Sequence, residues 1–287
     1  MSKSWKVKGF ILSDAKLEHN FTIDGFIFNI VDNKTHVEID VIGDSSEDTR
    51  RSVLNKFENL SGFLSFVVDL KFRLIITDVI QILPESGKKY AEKDFLCSMT
   101  VVKEISNQDI DNIKQLLKEV TSLDKITISA IKYYERGIRI EPWYTESFIN
   151  YFKIIELISD KYLDEAKQEK EEENKIKMEQ NISKIIEEIK SKKYDKSAII
   201  KSAKDIYEIG RIERRRRIEL AAIDLGAEEF TIDDIKKLVN VRNKVSAHAN
   251  SQLELISEEQ LILCKSFAKK ILSGYIQKQI NQISLGT

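Results

Sequence analysis

The sequence predicts an α+β protein in two parts: a mixed N-terminal domain of about six strands and one helix over residues 1–104, then an all-α helical domain over residues 105–287. Three observations lead there. Ten Gly and two Pro in 287 residues amount to about 4% where roughly 12% is usual, which favours long helices over many turns. The aromatic residues segregate, with nine of thirteen Phe before residue 105 and eight of nine Tyr from Tyr133 onward. The apolar period changes from two to 3.6 at about Ser106. At roughly 150 residues per domain the length also suits two cores.

Strands come first. Phe21, Ile23, Phe26, Phe28, Ile30, Val37, Ile39 and Val41 alternate with polar residues, and Asp24-Gly25 and Asp32-Asn33 supply turn chemistry between them. SSEDTRRSVLNKFENLSG has helix logic, with Ser46 as cap, Val53, Leu54, Phe57 and Leu60 at 3/4 spacing, and Gly62 as its stop. FLSFVVDL, FRLIITDVIQIL and DFLCSMTVV read as further strands. His19 and His36 have no Cys or carboxylate at ligand spacing, so they read as surface or satisfied histidines rather than metal ligands.

Helices follow. Ile110, Ile113, Leu117 and Val120 form one stripe, and Phe148, Phe152, Ile155 and Tyr162 form another that begins after Pro142. The stretch of about 164–193 is densely charged, yet Ile182, Ile185, Ile186 and Ile189 keep helical spacing, which predicts a solvated helix or helical hairpin projecting from the body. An alternative reading makes it an arm for assembly with a larger complex. Helices over 197–225, 231–248 and 257–282 complete the set. The last two open on capping boxes, Thr231 with Asp234 and Ser257 with Gln260. Leu261, Cys264, Ala268, Ile271 and Tyr275 form a heptad-like seam suited to a bundle or a dimer.

Composition narrows the function. Forty-six basic against 47 acidic residues leave a formal charge of −1, which excludes a basic nucleic-acid tail or a polyanionic chaperone as the whole molecule. No stretch reaches the roughly 18 uninterrupted apolar residues of a membrane helix, and MSKSWKVKGF lacks a signal-peptide apolar region. Cys97 and Cys264 are far apart in apolar surroundings, so the expectation is a cytoplasmic protein with no disulfide framework, no metal site and no membrane association. There is no Gly-rich phosphate loop, no nucleophile elbow and no paired carboxylates at a motif spacing.

One segment, KKLVNVRNKVSAHAN at 236–250, stands out. At about 100° per residue, Arg242 and His248 fall within about 80° of Leu238, inside the apolar side of their own helix. A cation there must be paired, snorkel, or meet a ligand phosphate. Arg242 either bonds a buried carboxylate such as Glu156 or serves a ligand. His248 either favours the helix C-terminal dipole or does chemistry. Upstream, Arg214, Arg215, Arg216 and Arg217 are consecutive on a helix, so they cannot share one face and at least one turns toward the body. They bind an RNA backbone, or they are solvated and balanced by Glu208, Glu213 and Glu219.

R242-N243-K244-V245-S246-A247-H248 resembles the R-x(4-6)-H signature of HEPN domains, with the polar residue that commonly follows the arginine. The context of a YFKIIELISDKY helix, then IELAAIDLG, an acidic cap and a helix running into the R-N…H element is similar to the Apea-like HEPN group, over about residues 107–282. The N-terminal domain matches no family. The resemblance implies an all-α HEPN-type bundle and a metal-independent endoribonuclease that needs no cofactor and acts as a homodimer through the helical domain, with two R…H elements facing across a cleft. Arg242, Asn243 and His248 are then the catalytic residues, with RNA held by Lys244, Arg214, Arg215, Arg216 and Arg217. Such proteins serve as toxins and in antiviral defence by abortive infection, which implies a regulatory protein or phage trigger at the N-terminal domain. Some HEPN domains serve only as dimerisation, RNA-binding or protein-interaction modules. His248 is followed by Ala where many relatives have Gly.

Overall fold

The computed structural model describes residues 3–13, 15–17, 19–31, 34–82, 103–119, 123–164, 171–190, 195–247 and 256–285. The protein is α+β and forms two compact units, Met1–Glu141 and Pro142–Thr287. The change from strands to helices does lie near residue 105. The division into units falls later, because the first two helices after it pack on the helix of the strand-rich unit.

In the first unit β1 (Lys3–Leu12), β3 (Phe21–Ile23), β4 (Phe26–Val31), β5 (Lys34–Gly43) and β6 (Arg73–Ile82) form one sheet in the order β3-β4-β5-β1-β6. Every neighbouring pair is antiparallel. β2 (Ala15–Leu17) and β7 (Lys103–Ile105) make a short parallel ladder apart from it. The β3–β4 turn uses Asp24 (φ 49°) and Gly25 (φ 80°), two successive left-handed residues as a tight hairpin requires. Phe26, Phe28, Val37 and Ile39 are buried as the alternation predicts. On the other face Lys6 and Lys8 pair with Glu38, and the Lys8 hydrogen bond holds the Glu38 carboxyl below its usual range.

The strand between β5 and β6, β1, is not among the strands read from the sequence, although Trp5, Val7 and Ile11 alternate inward. Its Gly9 sits at a register shift, where a Cβ would lie 2.3 Å from the Ile75 carbonyl oxygen. Only glycine admits that approach.

α1 (Ser46–Val68) joins β5 to β6. Two expectations about it need correction. Residues 63–68 of FLSFVVDL are its last turns rather than a strand, and Gly62 lies inside it rather than at its stop. The C-terminal half is buried on almost all sides, so its apolar run loses the 3.6-residue period that would have marked a helix. Gly62 is a packing site, since a Cβ there would meet Ile131 at 3.1 Å. The helix stops instead at Asp69, in the left-handed region with φ 68°, whose N–H bonds Ser65 O at 2.9 Å. The N-cap is Ser45, one residue before Ser46. α2 (Asn107–Glu119) and α3 (Lys125–Arg139) pack on α1, so the unit takes in two helices beyond residue 104, while α1 is the one helix among the described residues before it. His19 and His36 are exposed. Asp32-Asn33, DFLCSMTVV and Cys97 lie outside the described residues.

Among the described residues the second unit is all helical: α4 (Tyr144–Ser159), a 3-10 turn (Asp160–Tyr162), α5 (Glu171–Lys190), α6 (Lys196–Asp224), α7 (Ile232–Ala247) and α8 (Glu258–Leu285). α4 is its axis. Phe148, Tyr151, Phe152, Ile154, Ile155 and Ile158 are all buried while Ile149 stays exposed, the pattern of a helix with a wide apolar face against the core, and it contacts α6, α7 and α8. Both expected capping boxes form: Thr231 Oγ1 accepts from Asp234 N at 3.2 Å, and Ser257 Oγ accepts from Gln260 N at 3.2 Å. The Leu261–Tyr275 seam is buried inside the unit, so it serves the bundle rather than a dimer.

α6 ends in a Schellman motif, with Gly226 at φ 68° and Ala227 N–H bonding Ala222 O at 2.7 Å. Gly274 of α8 lies so close to this cap that a Cβ would be 2.1 Å from the Leu225 carbonyl oxygen. α5 returns along α6 as a hairpin, with Ile182, Ile186 and Ile189 exposed and Ile185 half-buried. Among the described residues no helix is long and apolar enough to cross a membrane.

Candidate functional site

The site is built where α4, α6 and α7 pack together. Glu156 lies in the last turn of α4, with its side chain 11% exposed. Burial of a carboxylate is costly unless it is paired, and both oxygens have cations nearby. Arg242 Nη2 is 2.9 Å from Oε1, and Lys153 Nζ is 3.5 Å from Oε2. Arg242 comes from α7, where it lies beside Val239 and Leu238 of the apolar stripe. Its inward placement is therefore explained by a buried carboxylate, the first of the two alternatives the helix geometry left open.

The adjacent Asn243 faces α6. Arg214 Nη1 donates to Asn243 Oδ1 at 2.7 Å, joining two features 29 residues apart that the sequence singled out separately. One turn further along α6, Arg217 turns toward the body with its side chain 14% exposed, and its Nη1 meets Asp160 Oδ1 at 2.5 Å. Helical periodicity required that one of the four arginines do so. Arg216 pairs along its own helix with Glu219 at 3.2 Å. Arg215 is half-buried, and Lys244 is exposed on α7. His248, and the side chains of Glu208 and Glu213, lie outside the described residues.

Two donors at this site lack acceptors. Asn243 Nδ2 and Arg217 Nε are buried, and neither has a hydrogen-bond partner among the described residues. An unmet buried donor costs roughly 1–3 kcal/mol. Such groups call for an acceptor of their own, for which an ordered water suffices. Guanidinium groups suit phosphate oxygens, and here those of Arg214 and Arg242 are engaged with Asn243 and Glu156. Among the described residues no cluster of His, Cys, Asp or Glu could hold a metal ion.

The structure thus brings Arg242, Asn243, Arg214 and Arg217 onto one set of packed helices and leaves Arg216 in a local pair. Glu156 was legible as a candidate partner because it shares a helix face with Phe148 and Phe152. Lys153 and Asp160 were missed, although their spacing of three and four residues from Glu156 places them on its side of the helix. Comparison with known protein families, with characterised proteins and with solved structures finds no match for this chain.

Proposed function

We propose that the helical unit is a metal-independent endoribonuclease of the HEPN type, working as a homodimer in the cytoplasm as a toxin or anti-phage effector, and that the N-terminal unit senses, recruits or restrains it. The observation that carries this reading is the Arg214–Asn243 hydrogen bond of 2.7 Å, which couples the arginine run to the R-N-x4-H element. In the proposed reaction the ribose 2′-oxygen attacks phosphorus as His248 takes its proton. The P–O5′ bond breaks and the leaving oxygen takes a proton from water, giving a 2′,3′-cyclic phosphate and a 5′-hydroxyl. Arg242 holds the scissile phosphate and stabilises its growing charge. Asn243 orients the phosphate or the His248 imidazole, and Lys244 and the α6 arginines bind the flanking backbone. DNA lacks the nucleophile and is not cut.

A second reading has its own support. The Arg242 charge is already met by Glu156, as expected of a non-catalytic HEPN module that binds RNA or protein.

End-labelled RNA incubated in EDTA with wild type and His248→Ala separates the two. Fragments with 2′,3′-cyclic ends from wild type alone support the enzyme. Equal cleavage by the variant, or activity that EDTA abolishes, overturns it. Expression in cells supplies the missing trigger: growth arrest by wild type and not by His248→Ala supports the enzyme, and identical growth of both supports the module.

A further inference from the structure

The N-terminal unit contains a cleft of about 980 Å³ between α1, β6 and the end of α3. Its volume is at the upper end of the roughly 300–1,000 Å³ typical of small-molecule sites. α1 contributes Arg50, Leu54, Phe57, Glu58 and Ser61, spaced at about three to four residues along one face of the helix.

The charges around it do not balance. Arg50, Lys71, Arg73 and Arg139 line the cleft, and Glu58 is the one acid among its lining residues. Among the described residues no carboxylate pairs with Arg50, Lys71 or Arg73. Arg139 is held differently. Its guanidinium pairs with Glu135, which is 6% exposed and also accepts from the buried Ser61 hydroxyl at 3.3 Å. That chain fixes one guanidinium at the cleft wall in advance of any ligand, which lowers the entropic cost of binding. The floor is apolar, formed by buried Phe57, Phe72 and Leu74, and Leu54 at the mouth is 41% exposed.

Guanidinium groups match phosphate oxygens with two-pronged hydrogen bonds, and an apolar floor receives a planar or hydrocarbon body. The geometry points to a binding site for a phosphorylated small molecule of nucleotide size, with its phosphates on Arg50, Lys71 and Arg73 and its body over Leu54 and the floor. The site lies wholly within the first unit and is independent of the proposed ribonuclease chemistry.

Titration of the full-length protein with the fluorescent nucleotide TNP-ATP tests it. Saturable binding is expected, weakened by added salt, displaced by ATP at lower concentration than by tripolyphosphate, and not displaced by adenosine. Arg50→Gln/Arg73→Gln, two rim substitutions, should raise Kd at least tenfold with an unchanged circular dichroism spectrum. If that double variant does not fold, Arg73→Gln alone should raise Kd about threefold. Absence of saturable binding by wild type overturns the proposal. So does adenosine competing as well as ATP, or tripolyphosphate matching ATP, since either removes one half of the recognition. Binding that survives the rim variants and falls in Arg214→Gln belongs to the helical unit and also overturns it.

Discussion

The Glu156–Arg242 pair decides how any activity test of Arg242 is to be read. At 2.9 Å, with side chains 11% and 29% exposed, the pair is neither a surface contact worth about 0–1 kcal/mol nor fully buried, where removing one partner costs about 3–5 kcal/mol. Arg242→Met keeps the packing of the side-chain stem but leaves the Glu156 carboxylate with Lys153 at 3.5 Å as its remaining cation. Discounted for the exposure of Arg242, the expected loss is about 2 kcal/mol, or roughly 4–8 °C in Tm for a unit of this size. Glu156→Gln, which leaves a cation able to reach water, should cost about 1 kcal/mol. The double variant buries no unpaired charge at the pair and should cost less than the sum, giving a coupling of about 1–2 kcal/mol. Urea unfolding followed by far-ultraviolet circular dichroism on all four proteins measures it. Additivity within about 0.5 kcal/mol would refute the reasoning. The double variant then serves as the control for catalysis, because a loss of RNA cleavage in it reflects chemistry rather than instability.

Asp224 gives a pH signature. Burial raises its pKa, but hydrogen bonds from Lys278, at 2.5 Å, and from the Tyr162 hydroxyl outweigh this and hold the carboxyl below its usual 3.8. A folded pKa below the unfolded one adds stability that is complete above about pH 4 and is lost as pH falls through the folded value. The Tm gap between wild type and Asp224→Asn should therefore be widest at neutral pH and shrink as the pH falls below the usual 3.8. A gap independent of pH would contradict this. Gly274→Ala drives a Cβ to 2.1 Å from the Leu225 oxygen and should cost at least about 2 kcal/mol, visible as a lowered Tm where an ordinary helical Gly→Ala change raises it. The Cys264 thiol is fully buried and its pKa is pushed up by desolvation. In a Cys97→Ser background it should resist Ellman's reagent until the chain unfolds, and reaction at the rate of an exposed thiol would show that α8 opens in the native state.

Legibility in the sequence followed exposure. Strands with one wet face, such as Phe26–Val31 and Lys34–Gly43, show alternation, and helices with an Asx or hydroxyl cap announce their starts. The C-terminal half of α1 has no wet face, so Phe63–Val68 read as a strand. At the site, Arg242, Asn243 and the arginine run were visible as residues out of keeping with their surroundings. Their connection was not, because Arg214 and Asn243 are 29 residues apart and periodicity speaks only of neighbours on one element.

The sequence by itself determined the α+β class, the long helices and their caps, and which side chains are costly to bury, since those depend on local backbone preference and on the solvation of each group. Tertiary structure alone decided which partner answers each cost. Helix packing sets Arg242 on Glu156, Arg217 on Asp160 and Arg214 on Asn243, and it places Gly274 against the α6 cap. These are contacts between distant segments, fixed by the shape of the core rather than by any local pattern.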